Sequence, residues 1–370
     1  MESSQALYLR TVTDIVDTQV YKIENPEGPL TERDKEKIGE FGLIIKRGGL
    51  VAFPTETVYG LGGDALNASS SEKIYAAKGR PSDNPLIVHI CDMNDLERIT
   101  EDIPEEAVKL AERFWPGPLT MILRASDAVP RRTTGGLDTV AVRMPDNPSA
   151  LELIRAAGGY IAAPSANLSG KPSPTTAVYV LEDMNGRIDA VIDGGENDIG
   201  IESTIIDLAG DKIQVLRPGY VTNKMLSDVL GIRVETDPAL LDPGCSKRPK
   251  APGMRYRHYA PKGEVIPVRG TPEKVYEHIC QGLENARKSG LRSGVICSAD
   301  NASRYEADIV RHAGSLDDAE AAAHVFYTAL RDMDDEGAEI IYVENFTDLG
   351  FGEALWNRLL KSAGSKWEEA

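Results

Sequence analysis

The character of the sequence changes near residue 240, and this change constrains the fold more than any other feature. Residues 241–263 are rich in proline, glycine and basic residues and lack hydrophobic periodicity, which is typical of a linker. Because 370 residues exceed the usual size of one hydrophobic core, we expect two domains. The predicted division is an N-terminal extension over 1–30, a first domain over 31–222, a linker over 223–262 and a second domain over 263–370.

Before the linker, short strand patterns outnumber helix patterns. Thr31 and Asp34 have the spacing of a capping box, and apolar residues then recur every three or four positions, which predicts a helix. A second helix is predicted to end at Lys78, where Gly79 suits a left-handed C-terminal position. Strands are predicted over 50–54, 86–90, 120–123, 139–143, 160–163, 190–192, 204–208 and 213–216, with a possible further strand at 6–11. This pattern predicts an α+β domain around a twisted, mixed or mostly antiparallel sheet.

After the linker, strand and helix patterns alternate. Strands are predicted over 264–268, 294–297 and 340–343, and helices around Val275–Leu283 and over 317–333 and 352–362. Such alternation is typical of a small, parallel, Rossmann-like α/β domain.

Composition excludes several broad classes of protein. A formal charge of −17 disfavours a protein that coats nucleic acid, although a local basic patch lies in the linker. The four cysteines form no CxxC pair, so neither a zinc site nor a disulfide framework is indicated. The sequence begins without a signal-peptide pattern, and it has no run of the roughly 20 apolar residues that span a bilayer. We therefore expect a cytoplasmic protein with reduced thiols that does not act at a membrane.

Two short segments carry the chemistry that the sequence reveals. Lys78 and Arg80 flank Gly79 in AAKGRPSDNPL, and Ser165 and Asn167 flank an alanine in AAPSANLSG. Arginine offers a permanently charged donor fork suited to phosphate, lysine a mobile point charge, and serine and asparagine add neutral hydrogen bonds. Since GxxxxGK[ST] is absent from the sequence, these segments predict a nucleotide-phosphate site that is not a Walker P-loop.

Seven motifs, which follow one another in order along the chain, resemble those of a known family. FPTETVYGLG, KGRPSDNPL, WPGPLT, VAVRMP, APSANLSG, ESTIIDL and LRPG resemble the YrdC-like domain of threonylcarbamoyl-AMP synthases. PGMRYRHYAP and the α/β tail resemble the longer, two-domain form of that family. The resemblance runs from about residue 30 to the end of the chain.

The resemblance implies a reaction and its partners. L-threonine and bicarbonate would give an N-carboxylated threonine, whose carboxylate attacks the α-phosphorus of ATP to release pyrophosphate. Mg²⁺ would accompany the ATP, and no protein-ligated metal is implied. A downstream threonylcarbamoyl transferase complex would then use the adenylate to modify tRNA beside the anticodon.

The resemblance also assigns residues. Lys78 and Arg80 would act catalytically at the phosphates. The nucleotide-binding positions are Arg80, Asn84, Thr139, Ser165, Asn167, Ser173, Arg217 and Tyr256, of which Tyr256 would close over the nucleotide. The threonine-binding positions are Thr57, His89, Arg143, Ala163 and Ser203. On the strand TVAVR, Thr139 and Arg143 share one face, which suits Thr139 on the nucleotide and Arg143 on the threonine carboxylate.

Two alternatives remain at this point. YrdC-like surfaces also suit double-stranded RNA, so the chain could be an RNA- or tRNA-binding module without synthase activity. Related domains in hydrogenase maturation proteins transfer carbamoyl groups, but those proteins carry zinc-binding cysteine clusters that this sequence lacks. Release of pyrophosphate from ATP would separate the synthase from both.

Overall fold

The computed structural model describes residues 16–26, 28–240, 251–252, 258–346 and 351–370. Its first helix begins as the capping box predicts: the Thr31 side chain accepts from the Asp34 amide at 3.1 Å, and Asp34 Oδ2 accepts from the Thr31 amide at 2.9 Å. The capping box thereby satisfies two backbone N–H groups at the helix start, those of Thr31 and Asp34. The predicted strand at 6–11 lies outside the described residues.

Within the described part of the chain, eleven strands form the first sheet, in the order β1-β8-β2-β3-β7-β4-β6-β5-β9-β10-β11. Their bounds are β1 Gln19–Lys22, β2 Val51–Phe53, β3 Gly60–Asp64, β4 Ile87–His89, β5 Leu119–Arg124, β6 Thr139–Arg143, β7 Ile161–Ala162, β8 Ala190–Asp193, β9 Thr204–Asp207, β10 Gln214–Arg217 and β11 Glu235–Thr236. Pairs such as β4 with β6 are parallel, whereas β5 with β6 and β9 with β10 are antiparallel. The expected mixed sheet is confirmed.

Helices cover both faces of this sheet. They are α1 Glu32–Lys46, α2 Ala68–Lys78, α3 Leu96–Ile99, α4 Glu105–Phe114, α5 Pro148–Ala156, α6 Ala177–Met184 and α7 Asn223–Leu230. One face buries Leu61, Val88 and Val142 beneath α2 and α4, and the other buries Phe53 against α1 and α5. Burial of apolar side chains on both faces makes the strands rigid supports for the residues at their ends.

The second sheet is parallel, and among the described residues it has five strands in the order β14-β13-β15-β12-β16. Its strands are β12 Glu264–Arg269, β13 Ser293–Cys297, β14 Ile309–His312, β15 Ile340–Glu344 and β16 Glu368–Glu369. Its helices are α8 Pro272–Lys288, α9 Ala319–Asp335 and α10 Gly352–Ser362. The predicted α/β alternation is confirmed. The two edge strands β14 and β16 were not predicted from the sequence, because they are short and partly exposed.

Parts of the predicted N-terminal extension and of the predicted linker belong to the first domain. Strand β1 lies within the predicted extension 1–30 and pairs in parallel with β8. Within the predicted linker 223–262, α7 lies against α4, and β11 pairs with β10. The domain boundaries given above stay predictions.

The two domains share a hydrophobic core. Val58 and Ile201 of the first domain pack in one cluster with Phe326 and Tyr327 of α9. Gly200 has a φ of 83°, and a Cβ there would lie 2.6 Å from the Cα of His324, so the backbones meet where only glycine fits. Over the described ranges, the helices are too short or too polar to cross a bilayer.

The turn after α2 offers a test of the local backbone. Gly79 has a φ of 64° with open space at its Cβ position, so Gly79→Ala should lower the free energy of unfolding by about 1 kcal/mol. The matched control is Gly39→Ala inside α1, which also has open space and should raise it by about 0.5–1 kcal/mol. Urea denaturation measures both. Changes of the same sign would contradict the left-handed assignment at Gly79.

Candidate active site

A polar cavity opens where several strands of the first sheet end. Ten of the predicted residues line it: Thr57, Lys78, Arg80, His89, Arg143, Ala163, Ser165, Asn167, Ser203 and Arg217. The strand register explains part of this convergence, because His89 at the end of β4 pairs with Arg143 at the end of β6. The neighbouring strand β5 places Thr120 opposite Arg143 on its other side.

Four predicted residues are not among those that line the cavity. Asn84 is buried beside it, and its backbone carbonyl accepts from Arg80 Nε at 3.3 Å. Ser173 lies behind the wall, where its Oγ donates to the lining residue Glu202. Thr139 lines a different groove because it stands at the opposite end of β6 from Arg143. Tyr256 lies outside the described residues, so its role at the nucleotide stays a prediction.

The Lys78 ammonium joins the two segments that the sequence analysis singled out. Its Nζ donates to the carbonyls of Ser165 at 2.5 Å and Asn167 at 2.6 Å. Burial, and then the charge of Arg80, lower the pKa of Lys78 well below its usual value. The two carbonyls compensate for part of the cost of burying this group.

Arg80 is directed into the cavity by the left-handed Gly79. Its guanidinium donates from Nη2 to the Pro85 carbonyl at 3.0 Å as well as to Asn84. Burial lowers the pKa of Arg80 to about 10, so the side chain is cationic at neutral pH. A half-buried cation with a fixed orientation is suited to a phosphate group.

The segment over residues 165–167, the SAN segment, is held in shape by hydrogen bonds of its own side chains. Ser165 Oγ donates to Asn167 Oδ1 at 2.5 Å. Asn167 Nδ2 donates to the carbonyls of Leu168 at 2.7 Å and Lys171 at 2.8 Å. Its polar atoms are therefore placed before any ligand binds.

Arg143 occupies the end of the cavity near β2. Its Nη1 donates to Thr57 Oγ1 at 2.9 Å, and Thr57 Oγ1 lies 2.9 Å from Thr55 Oγ1. Arg143 Nη2 lies 2.6 Å from Glu56 Oε2, close enough for an ion pair but without the alignment of a hydrogen bond. Both side chains are buried, so the guanidinium charge is balanced locally.

His89 stands beside Arg143 as a neutral, buried ring. Its Nδ1 lies 3.2 Å from the Ile87 carbonyl, and the ring meets Phe53 edge-on with centroids 6.0 Å apart. Burial, and then the charge of Arg143, lower the pKa of His89 to about 3. This histidine can contribute a polar contact but not a proton near neutral pH.

Arg217 and Ser203 form the opposite wall. Strand β10 runs antiparallel to β9, which brings Arg217 next to the start of β9. Arg217 donates from Nε to the Ser203 carbonyl at 3.0 Å and from Nη2 to Ser203 Oγ at 3.1 Å. The hydroxyls of Ser203 and Thr120 lie 2.8 Å apart.

Sequence reasoning missed several residues of the cavity. Lys171, Glu202, His258 and Tyr259 line it, and none of them is among the residues assigned from the sequence. Tyr259 has a φ of 62°, rare for a residue with a Cβ, and its ring lies 5.2 Å from that of Tyr327. The signal that could have found two of them is the motifs themselves, since Glu202 begins ESTIIDL and Tyr259 lies in PGMRYRHYAP.

The charges leave the cavity electropositive. The lysine and arginine side chains that line it are Lys78, Arg80, Arg143, Lys171 and Arg217. The carboxylate that lines it, Glu202, is paired with Arg358. No cluster of three or more His, Cys, Asp or Glu side chains suited to a metal occurs among the described residues. This arrangement favours an anionic ligand.

Comparison with known proteins identifies relatives along both domains. Residues 43–219 match the family described as "Telomere recombination", and residues 221–364 match the family described as "Threonylcarbamoyl-AMP synthase, C-terminal domain". The threonylcarbamoyl-AMP synthase of Bacillus subtilis strain 168 is 46% identical, over 89% of this chain and 94% of its own. That of Pyrococcus abyssi is 48% identical, over 89% and 96%. The structure of P. abyssi Sua5 complexed with L-threonine matches with a TM-score of 0.88 at 45% identity, covering 95% of this chain and 99% of that one.

This chain belongs to the two-domain threonylcarbamoyl-AMP synthase family. The resemblance, the fold class and the enzyme class expected from the sequence are confirmed. The alternative of an RNA-binding module is not favoured, because the relatives that match along both domains carry the synthase name.

The depressed pKa of His89 has a consequence for stability. An unfolded histidine titrates near pH 6.5, so between about pH 6.5 and 3 the unfolded chain binds a proton that the folded protein does not. His89 therefore lowers stability as the pH falls through this window. We expect the free energy of unfolding of His89→Asn to depend less steeply on pH between 7 and 5 than that of the unchanged protein, by urea denaturation. His312→Asn, at an exposed strand position, is the matched control. Equal slopes for His89→Asn and the unchanged protein would contradict a neutral His89.

Proposed function

We propose that this chain makes threonylcarbamoyl-AMP and pyrophosphate from L-threonine, bicarbonate and ATP, for the modification of tRNA beside the anticodon. The observation that carries the proposal is the division of the cavity into two ends. Arg143 and Thr57 contact each other at one end, and Lys78, two residues before Arg80, contacts the SAN segment at the other. A threonine and a triphosphate therefore have separate, complementary surroundings.

Threonine binds at the Arg143 end. The guanidinium fork is suited to the amino-acid carboxylate, and the hydroxyl groups of Thr57 and Ser203 are available to hydrogen-bond a polar side chain. Neutral His89 and the Ala163 backbone complete this end without adding charge. The threonine amine then attacks bicarbonate, which gives a carbamate and water.

ATP binds at the Arg80 end. The new carbamate oxygen attacks the α-phosphorus, the bond to the β-phosphate oxygen breaks, and pyrophosphate leaves. Arg80 and Arg217 are placed to stabilise the charge that develops on the phosphate oxygens. Lys78 holds the SAN segment, and its charge adds to the same field. We do not include Thr139 in this site, because it lines another groove.

Mg²⁺ enters as part of the substrate. The cavity carboxylate, Glu202, is already engaged by Arg358, so the phosphates and water would supply the ligands of the ion. The reaction requires ATP and serves tRNA, which supports a cytoplasmic location. A threonylcarbamoyl transferase complex would consume the adenylate.

The first test is substrate dependence. If the carbamate is the nucleophile, pyrophosphate release from ATP requires L-threonine and bicarbonate together, and omitting either should reduce the rate to background. A coupled pyrophosphate assay in bicarbonate-depleted buffer measures this. L-Serine is a suitable comparison substrate, because it lacks only the methyl group of threonine. Equal release without threonine or without bicarbonate would refute the proposed function.

The second test separates the two ends of the cavity. Arg143→Lys retains a partner for buried Glu56 but loses the planar fork, so the KM for threonine should rise by about tenfold or more. The KM for ATP should change little, because Arg143 lies at the other end. Steady-state kinetics with each substrate varied in turn measures both. A larger rise in the KM for ATP than in that for threonine would reverse the assignment.

A further inference from the structure

A buried cluster of polar side chains joins the two domains directly behind the cavity. The Glu202 carboxylate accepts from Ser173 Oγ at 2.6 Å and from the Tyr327 hydroxyl at 2.9 Å. Arg358 of α10 donates from Nε to the same carboxylate at 2.9 Å, and its side chain is fully buried. The groups that hold Glu202 in place thus come from both domains.

Arg358 also holds the main chain at two places, one in the cavity wall and one next to it. Its Nη2 donates to the Glu202 carbonyl at 3.2 Å, and its Nη1 donates to the Pro218 carbonyl at 2.7 Å. These carbonyls lie next to Ser203 and Arg217, which contact each other across the wall. One guanidinium of the second domain therefore sets the spacing of two cavity segments of the first.

A second arginine of the same domain is hydrogen-bonded to another segment beside the cavity. Arg331 of α9 donates from Nη2 to the Pro172 carbonyl at 2.6 Å and to Asp183 at 2.9 Å. Asp183 in turn accepts from Lys171 Nζ at 2.7 Å. The segment that leads to Ser173 is thereby tied to α9.

The charge of the cluster matters as much as its geometry. Burial on its own raises the pKa of a carboxyl group, but Arg358 and Arg217, together with the Ser173 hydrogen bond, hold the pKa of Glu202 below its usual value. Glu202 is therefore an anion that lines the cavity. Without Arg358, this anion would repel the phosphates of ATP much more strongly.

We propose that Arg358 and Tyr327 are positioning residues for ATP binding, and that they act through Glu202. This inference rests on the function proposed above. The second domain then helps to build the cavity, because it neutralises the Glu202 carboxylate and fixes the segments that carry Ser203 and Arg217. If Arg358 were only structural, its loss would lower the amount of folded enzyme and leave the KM for ATP of the folded fraction unchanged.

The experiment measures pyrophosphate release by the full-length chain with ATP or threonine varied. Arg358→Met keeps most of the side-chain volume but leaves the buried Glu202 unpaired, so we expect the KM for ATP to rise by about tenfold or more. The KM for threonine, a zwitterion, should rise by less than about threefold. Adding Glu202→Gln removes the unpaired charge and should restore most of the KM for ATP.

Two further variants keep the test decisive. Tyr327→Phe removes one hydrogen bond and keeps the ion pair, so the KM for ATP should rise by about two- to fivefold even if Arg358→Met does not fold. His324→Ala is the matched control: it lies on the same helix at the same interface, where its Nδ1 lies 3.0 Å from the Asp198 carbonyl. It should leave the KM for ATP unchanged. Circular dichroism and thermal unfolding report the folded fraction of each variant.

The outcomes are distinguishable. An unchanged KM for ATP in folded Arg358→Met, or in Tyr327→Phe if Arg358→Met does not fold, overturns the inference. An equal rise in His324→Ala also overturns it, because any loss of contact between the domains would then have the same effect. Pyrophosphate release that needs neither threonine nor bicarbonate refutes the proposed function instead, and that result comes from the unchanged protein alone.

Discussion

The cavity depends on one buried ammonium group. Lys78 Nζ is 2.5 Å from the Ser165 carbonyl and 2.6 Å from the Asn167 carbonyl, residues 87 and 89 positions further along the chain. A charged group away from water is stable only with such partners, so the end of α2 and the segment after β7 must meet. That meeting places Arg80 and the Ser165 hydroxyl on the same cavity.

Around this point, the protein balances charge in pairs. The Arg143 charge is balanced by Glu56, and the Glu202 charge is balanced by Arg358. With these two pairs balanced, Lys78, Arg80 and Arg217 give the cavity its positive field. A chain with a net charge of −17 can therefore bind a triphosphate locally, because field lines concentrate in a low-dielectric cleft.

The second domain is joined to this arrangement through buried polar contacts as well as through a shared apolar core. Arg358 reaches Glu202 across 156 positions of sequence, and Arg331 reaches Asp183 across 148. Both arginines are almost fully inaccessible to solvent. Because a buried guanidinium without its carboxylate is strongly destabilising, the two domains are held in one relative arrangement.

Local chemistry determined much of this protein from the sequence alone. The capping box at Thr31, the left-handed turn at Gly79 and the α/β alternation of the second domain could be predicted because each depends on neighbours within a few residues. The ordered motifs identified the family for the same reason, since they are contiguous. Tertiary structure decided what lies far apart in the chain. Thr139 and Arg143 share a strand face, yet four residues of strand separate them by about 13 Å, and they line different grooves. The partnership of Glu202 with Arg358 has no local signal, because strand pairing and the packing of the domains place those two side chains together.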